Sequence, residues 1–289
     1  MSTDLITEHL DLWTSAVTYN NGKGRGNNGE PELTGIQKLR ELILELAVRG
    51  KLVPQNPEDE PASKLLERIE EEKKRLYKEG KIKKPKKMAK PTNVEGQFDL
   101  PKGWEPIFLQ DIGYWAIGNG FPKKEQGRED GEFLFCKVSD MSLPGNEFEI
   151  RETVNKITWS QAKRLKSSLH PAGTVIFPKI GGAIATNKRR MLSKPTAIDN
   201  NTLGVTPSCG ISSRYLYLVL TAIDMTTYQA GTSVPALSQS TIGQIPIWLP
   251  PAAEQYRIVE KVDELMALCD RLEQQTSDQI NAHETLVDT

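Results

Sequence analysis

Residues 245–272 read IPIWLPPAAEQYRIVEKVDELMALCDRL, and a change of periodicity inside them decides the fold. Ile245, Ile247 and Leu249 alternate around Pro246 and Trp248, the period-two pattern of a half-buried strand. Pro250 and Pro251 cannot continue a ladder, whereas a proline fits the first turn of a helix, where its missing N–H costs nothing. Ile258, Val262, Leu265, Cys269 and Leu272 then recur at spacings of four, three, four and three. That narrow seam suits a helix paired with another helix better than the broader stripe of a helix lying on a globular core. The stretch predicts a junction where a globular unit hands the chain to a helical spacer.

The N-terminal third carries matching helical signals. Ile6, Leu10, Trp13 and Val17 share one helical face, and a polar, glycine-rich loop, NNGKGRGNNGEPE, follows. Thr34 is a candidate cap for a helix to about Arg49, with Ile36, Leu39, Ile43 and Leu46 at three-four-three spacing. Gly50 stands where a left-handed C-terminal cap is wanted. A further helix is expected after Asp59 or Glu60 as cap, with Pro61 in its first turn, Leu65, Ile69 and Leu76 on one face, and Gly80 at its end. KEGKIKKPKKMAKPTN is then basic, proline-punctuated and apolar-poor, which reads as a linker.

From about Leu100 the texture changes to short β-rich runs, WEPIFLQDI, EFLFCKV, GTVIFPKI and NTLGVTP, with helical patches at WSQAKRLKS and SRYLYLVLTAI. The expected fold class is α+β. A mixed α/β domain over 100–250 lies between a helical region with basic linker (1–99) and a spacer helix (251–289). The long helices are expected to pack as an antiparallel bundle or coiled coil through Leu39, Ile43, Leu46, Ile258, Val262, Leu265 and Cys269. The 289 residues suffice for about two domains. No run of eighteen apolar residues offers a membrane span, and MSTDLITEHLDLW is too acidic and interrupted for a signal peptide. Cys136, Cys209 and Cys269 have no CxxC spacing and read as reduced cytosolic thiols, so the expected location is cytoplasmic.

Catalytic signals are weak. A [D/E]xK nuclease reading using Asp59, Glu79 and Lys81 puts those residues on a charged helix and its linker, away from a strand that could hold a metal. There is no glycine-rich loop after a strand and no NPPY motif, so methyltransferase chemistry finds no support. GKGRGNNGE follows a helix, not a strand. His9, His170 and His283 have no ligand spacing, and no triad or metal cluster stands out. The chain does not read as an enzyme by itself, and no cofactor is expected in it.

Charge is more informative. The whole chain carries −1, yet between Leu100 and Pro250 sixteen lysines and arginines face twelve acidic residues. The excess gathers in GNGFPKKEQGR, QAKRLK, PKIGGAIATNKRRM and SKPTAIDNN. Lysine and arginine neutralise phosphates, while Asn and Arg form paired hydrogen bonds to base edges. The candidate DNA-binding residues are therefore Lys123, Lys124, Lys179, Asn187, Lys188, Arg189 and Arg190. Lys123 and Lys124 are expected on phosphates. At least one of Asn187, Arg189 and Arg190 is expected on a base edge, from a loop thinned by Gly181 and Gly182. The alternative is a basic turn that touches only phosphate or water.

Three stretches carry a family resemblance. TGIQKLRELILELAVRGKLVPQNPEDEPASKLLERIEEEK, LPKGWEPIFLQDIG and GTSVPALSQSTIGQIPIWLPPAAEQYRIVEKVDELMALCDRL resemble the first spacer, the entry into a target recognition domain, and its exit in the specificity subunit of type I restriction-modification enzymes. The last includes a PPxxEQxxIV pattern at Pro250, Pro251, Glu254, Gln255, Ile258 and Val259. The resemblance implies a subunit that reads one half of a split double-stranded DNA target and docks modification and restriction subunits. Those partners, and not this chain, would use S-adenosylmethionine, ATP and Mg. The family usually carries two recognition domains. With one here, the expectation is a truncated chain, the N-terminal half of a longer subunit, or a half-subunit that dimerises. Two other readings stay open: a non-specific α/β binding adaptor with helical oligomerisation arms, and a nuclease-like or anti-restriction protein.

Overall fold

The computed structural model describes residues 6, 8–19, 31–82, 84, 88–91, 100–128, 130–231 and 233–287. The glycine-rich loop, most of the basic linker and the side chain of His283 lie outside the described residues. Two compact units form, Met1–Gln55 with Arg257–Thr289 and Asn56–Tyr256.

The first unit begins with α1 (Leu10–Ser15), a two-stranded antiparallel ribbon of β1 (Thr18–Tyr19) and β2 (Pro31–Glu32), and α2 (Thr34–Val48). Thr34 does not cap α2. It is the first helical residue, and its hydroxyl donates to the Ala16 carbonyl 3.0 Å away. Gly50 ends the helix at φ +66°, with Lys51 N–H bonded back to the Leu46 carbonyl. A left-handed residue there costs glycine no side-chain clash. Ile36, Leu39, Ile43 and Ala47 are the buried row of α2. Leu46 is only half-buried, because the inward row takes three-four-four steps and ends on Ala47.

The second unit holds α3 (Ala62–Lys78), β3 (Glu105–Phe108), β4 (Gly113–Ile117), β5 (Phe133–Cys136), β6 (Glu149–Ile150), β7 (Asn155–Ile157), α4 (Trp159–Leu165), β8 (Val175–Pro178), β9 (Arg190–Leu192), β10 (Thr196–Ile198), β11 (Thr202–Pro207), α5 (Ser213–Ala222), α6 (Gln239–Ile242) and β12 (Pro246–Leu249). The last helix, α7 (Ala252–Val287), starts in this unit and continues into the first. On α7, Ile258, Val262, Leu265 and Cys269 are buried as their spacing predicts. Arg40 of α2 reaches Asp270 and Glu273 of α7, each at 2.7 Å.

The five-stranded sheet runs in the order β4-β11-β8-β9-β6, antiparallel except for β6 beside β9. The three-stranded sheet, β10-β5-β7, pairs β10 with β5 in parallel and β5 with β7 antiparallel. Leu134 and Cys136 of β5 join Ala116, Ile176, Leu192 and Ile198 in one core cluster. Phe135, between them, belongs to a second cluster with Ile157, Ala162 and Ala197. Successive strand residues face opposite ways, so β5 is buried on both faces. That double burial is why FLFC reads as a continuous apolar run.

The boundary expected at residue 99 falls elsewhere, because α3 groups with the β-rich unit. Ala62, Leu65 and Ile69 are buried, and Lys73, almost fully covered, donates to the Asp111 carbonyl at 3.1 Å. Glu72 accepts from the Tyr114 hydroxyl and the Cys209 N–H, both at 3.0 Å. Pro61 is the boundary residue of α3 rather than its first turn, and neither Asp59 nor Glu60 caps it. The Ala62 N–H instead donates to Gly103 O at 2.8 Å.

The junction behaves as its residues dictate. β12 pairs antiparallel with β3, with Ile247 opposite Ile107, and α7 starts directly after the two prolines. Glu254 accepts from Trp104 Nε1 at 3.0 Å, while Gln255, fully buried, accepts from the Ser212 N–H at 2.8 Å. These two bonds tie the helix start to the sheet unit and give the EQ pair a physical purpose.

Candidate functional site

β8 leads into the basic loop. Lys179 is half-buried, and its backbone N–H and carbonyl bond to Asn201 and Leu237. Gly181, at φ +71°, donates its N–H to Pro235 O and opens a 3-10 turn, Gly181–Thr186, which closes on Asn187 in the left-handed region at φ +48°. The Asn187 amide then donates to Thr221 O at 3.1 Å, near the end of α5.

Arg189 corrects the expectation of a base contact. It is 2% exposed, with Nε on Leu220 O at 3.0 Å, Nη1 on Lys188 O at 3.0 Å and Nη2 on Ile223 O at 3.4 Å. The guanidinium sits 5.2 Å from the Phe177 ring centroid. Carbonyls at a helix C-terminus lack intrahelical donors and carry the negative end of the dipole, so a buried cation is satisfied there. Burial pushes the Arg189 pKa down to about 10, so it stays charged at neutral pH. Arg190 is half-buried, with Nε on Met141 O at 3.0 Å and Nη1 on Arg189 O at 2.7 Å. Its Nη2 has no partner among the described residues. Lys188 reaches the Ser142 hydroxyl. The loop therefore spends much of its donor set on its own anchoring, and Asn187 remains the exposed member of the four.

A second basic surface lies around Lys123 and Lys124. Both are exposed on the 3-10 turn Lys123–Glu125, and neither has a carboxylate partner among the described residues. Glu125 points inward, accepting from Gln161 Nε2 at 3.1 Å and Arg164 Nη2 at 2.9 Å. The Arg164 bond holds the Glu125 carboxyl below its ordinary value. The same segment is fastened again where Asn119 donates to Lys166 O at 2.6 Å. Thr158 and Gln161 form a capping box at the start of α4.

The other candidates separate. Glu79 and Lys81 form an exposed pair at 2.8 Å after the C-terminus of α3, whereas Asp59 precedes its N-terminus. Seventeen helical residues intervene, about 25 Å at 1.5 Å per residue, so the three do not make one nuclease site. His170 is buried with its ring 3.2 Å from Ile117 O, and burial lowers its pKa. Burial likewise raises the Cys136 thiol. Among the described residues, no three His, Cys, Asp or Glu side chains group as a metal set, and no helix is long and apolar enough to cross a membrane. Trp159, exposed beside Lys163 on α4, was not singled out from the sequence. Its signal was the four-residue spacing of the two within a run predicted helical.

Residues 101–282 match the sequence model of the family described as the type I restriction modification DNA specificity domain. The chain belongs to this family. It is similar to the type I restriction enzyme EcoEI specificity subunit of Escherichia coli, 38% identical over 303 residues that cover 99% of this chain and 48% of the relative. The EcoAI specificity subunit, also of Escherichia coli, is 38% identical over 300 residues, 99% of this chain and 49% of the relative. The chain thus spans about half the length of these curated relatives. A solved structure described as the structural basis of complex assembly and conformational transition of the type I R-M system shares the fold, with a TM-score of 0.51 and 14% identity over 98% of this chain and 66% of that one. The match covers the β-rich unit from β3 to β12, the basic loop and the buried half of α7, but not α3.

Proposed function

We propose that this chain reads one half of a split double-stranded DNA target as the specificity subunit of a type I restriction-modification complex. The observation that carries this is the family match over 101–282, a span that contains both the basic loop and the Lys123–Lys124 turn. In this reading Lys123 and Lys124 neutralise phosphates, a role suited by their exposure and by the lack of an ion pair to either among the described residues. Base edges fall to the basic loop, to exposed Asn187 and to the remaining Nη2 of Arg190, with Lys179 and Lys188 beside them. Arg189 holds the loop and touches no base. The seams of α2 and α7 form the spacer. The chain docks modification and restriction subunits, works in the cytoplasm, and is joined by a second recognition half in the same or another chain. It catalyses nothing itself: S-adenosylmethionine, ATP and Mg belong to those partners, and no residue here is assigned to hold them.

Selection from a pool of random duplexes by this chain with its methyltransferase subunit tests the reading. The expected result is enrichment of one short, fixed half-site. An unenriched pool despite measurable DNA binding would overturn it in favour of a non-specific binding module.

A further inference from the structure

The exposed face of α4 combines a bare indole with basic side chains. Ala162 is buried in the cluster of Phe135, Ile157 and Ala197, and Gln161 is turned inward onto Glu125. The opposite side of this helix therefore presents Trp159, Ser160, Lys163 and Arg164, with Lys166 directly after its end. Trp159 is 51% exposed, an unusual position for so large an apolar ring. Its inner edge leans on Phe133, with centroids 6.0 Å apart, and Lys163 Nζ lies 5.2 Å from the indole centroid. Neither Lys163 nor Lys166 has a carboxylate partner among the described residues. Arg164 is paired with Glu125 at 2.9 Å, and the exposed carboxylate of Glu132 accepts the Trp159 backbone N–H at 3.1 Å.

This face is continuous with the Lys123–Lys124 turn. Glu125, next in sequence to Lys124, is bonded to both Gln161 and Arg164, and Asn119 is bonded to Lys166 O. Lys163 thus lies over the exposed indole, and Lys123, Lys124 and Lys166 stand exposed on adjoining segments, none of the four in an ion pair among the described residues. Lysines outnumber the exposed carboxylate of Glu132 beside the indole, and a net positive charge around a flat apolar surface matches a polyanion with flat sugars between its charges.

We propose that α4 grips the DNA backbone, with Lys163 and Lys166 on phosphates and the Trp159 indole laid against deoxyribose between them. This rests on the proposed function but assigns a surface that reading does not need. The contact positions the duplex and carries no sequence information.

The test measures affinity of the full chain for a mixed-sequence duplex across a salt series. Each lost phosphate contact lowers the slope of log affinity against log salt by about 0.9, so Lys163→Ala with Lys166→Ala should lower it by about 1.8. Trp159→Ala should weaken binding roughly tenfold at any salt, the worth of about 55 Å² of apolar surface covered, with base preference unchanged. Fluorescence supplies a second readout: duplex should alter the indole emission of the parent chain, and Trp159→Phe should abolish that part of the change. Parent and variants binding alike would overturn the α4 assignment and leave the proposed function standing. Failure of the parent chain to bind any duplex overturns both. Unchanged duplex affinity with lost association to the methyltransferase subunit would assign the face to protein contact instead.

Discussion

Replacing Arg189 separates a residue that reads DNA from one that holds the reader. The side chain is 2% exposed and donates to three carbonyls, two of them at the end of α5. Arg189→Ala removes those donors and leaves a cavity beside Phe177. A net loss of about 1.5–3 kcal/mol per bond from a charged donor is partly offset, because a desolvated cation disappears as well. The balance is a destabilisation of about 4 kcal/mol, or a fall in melting temperature on the order of 10 °C for a unit of this size. Arg189→Met keeps most of the packing and should cost about half as much. Thermal unfolding followed by circular dichroism gives the first number. Binding to the selected half-site and its single-base variants gives the second. Uniform weakening alongside lost stability is expected. Wild-type stability with relaxed preference at one base position would refute the burial argument and return Arg189 to the base edge.

Three further perturbations probe other parts of the chain. Gln255→Ala leaves the Ser212 N–H without its acceptor and should cost about 1–3 kcal/mol in denaturant unfolding; unchanged stability would contradict the bond. Val262, 1% exposed on α7, should not tolerate aspartate: Val262→Asp should destabilise by more than about 3 kcal/mol, and an unchanged melting temperature would refute the seam. Glu125 has its folded pKa held below the ordinary 4.5, chiefly by Arg164, so its stabilisation is full above 4.5 and lost as pH falls through the lower folded value. Glu125→Gln should therefore flatten the acid side of the stability-pH curve, and an unaltered acid limb would show that the pair contributes nothing.

The strands and the junction were legible because burial leaves its period in the sequence. The alternation of Ile245, Ile247 and Leu249 and the glycine after α2 each have one physical meaning. The allegiance of α3 was not legible, since Leu65 and Ile69 look alike whether they face a second helix or a sheet. What decides it is Lys73, a lysine buried against Asp111, and burial of a charge cannot be foreseen without its partner. Arg189 misled for the same reason. A KRR run reads as solvated, and only the fold brings Leu220, Ile223 and Phe177 around the middle residue. Lys123 and Lys124 did emerge on the surface, as short polar turns generally do. Trp159 was hidden by the habit of assigning aromatic residues to cores.

The most direct test of the central claim grafts Asn56–Tyr256 of this chain into the EcoEI specificity subunit in place of its matching segment and maps the DNA sequence modified by the resulting complex. If this unit reads DNA, one half of the modified sequence should change to the half-site this chain selects, while the other half stays as it was. An active complex that keeps its original sequence in both halves would contradict the claim.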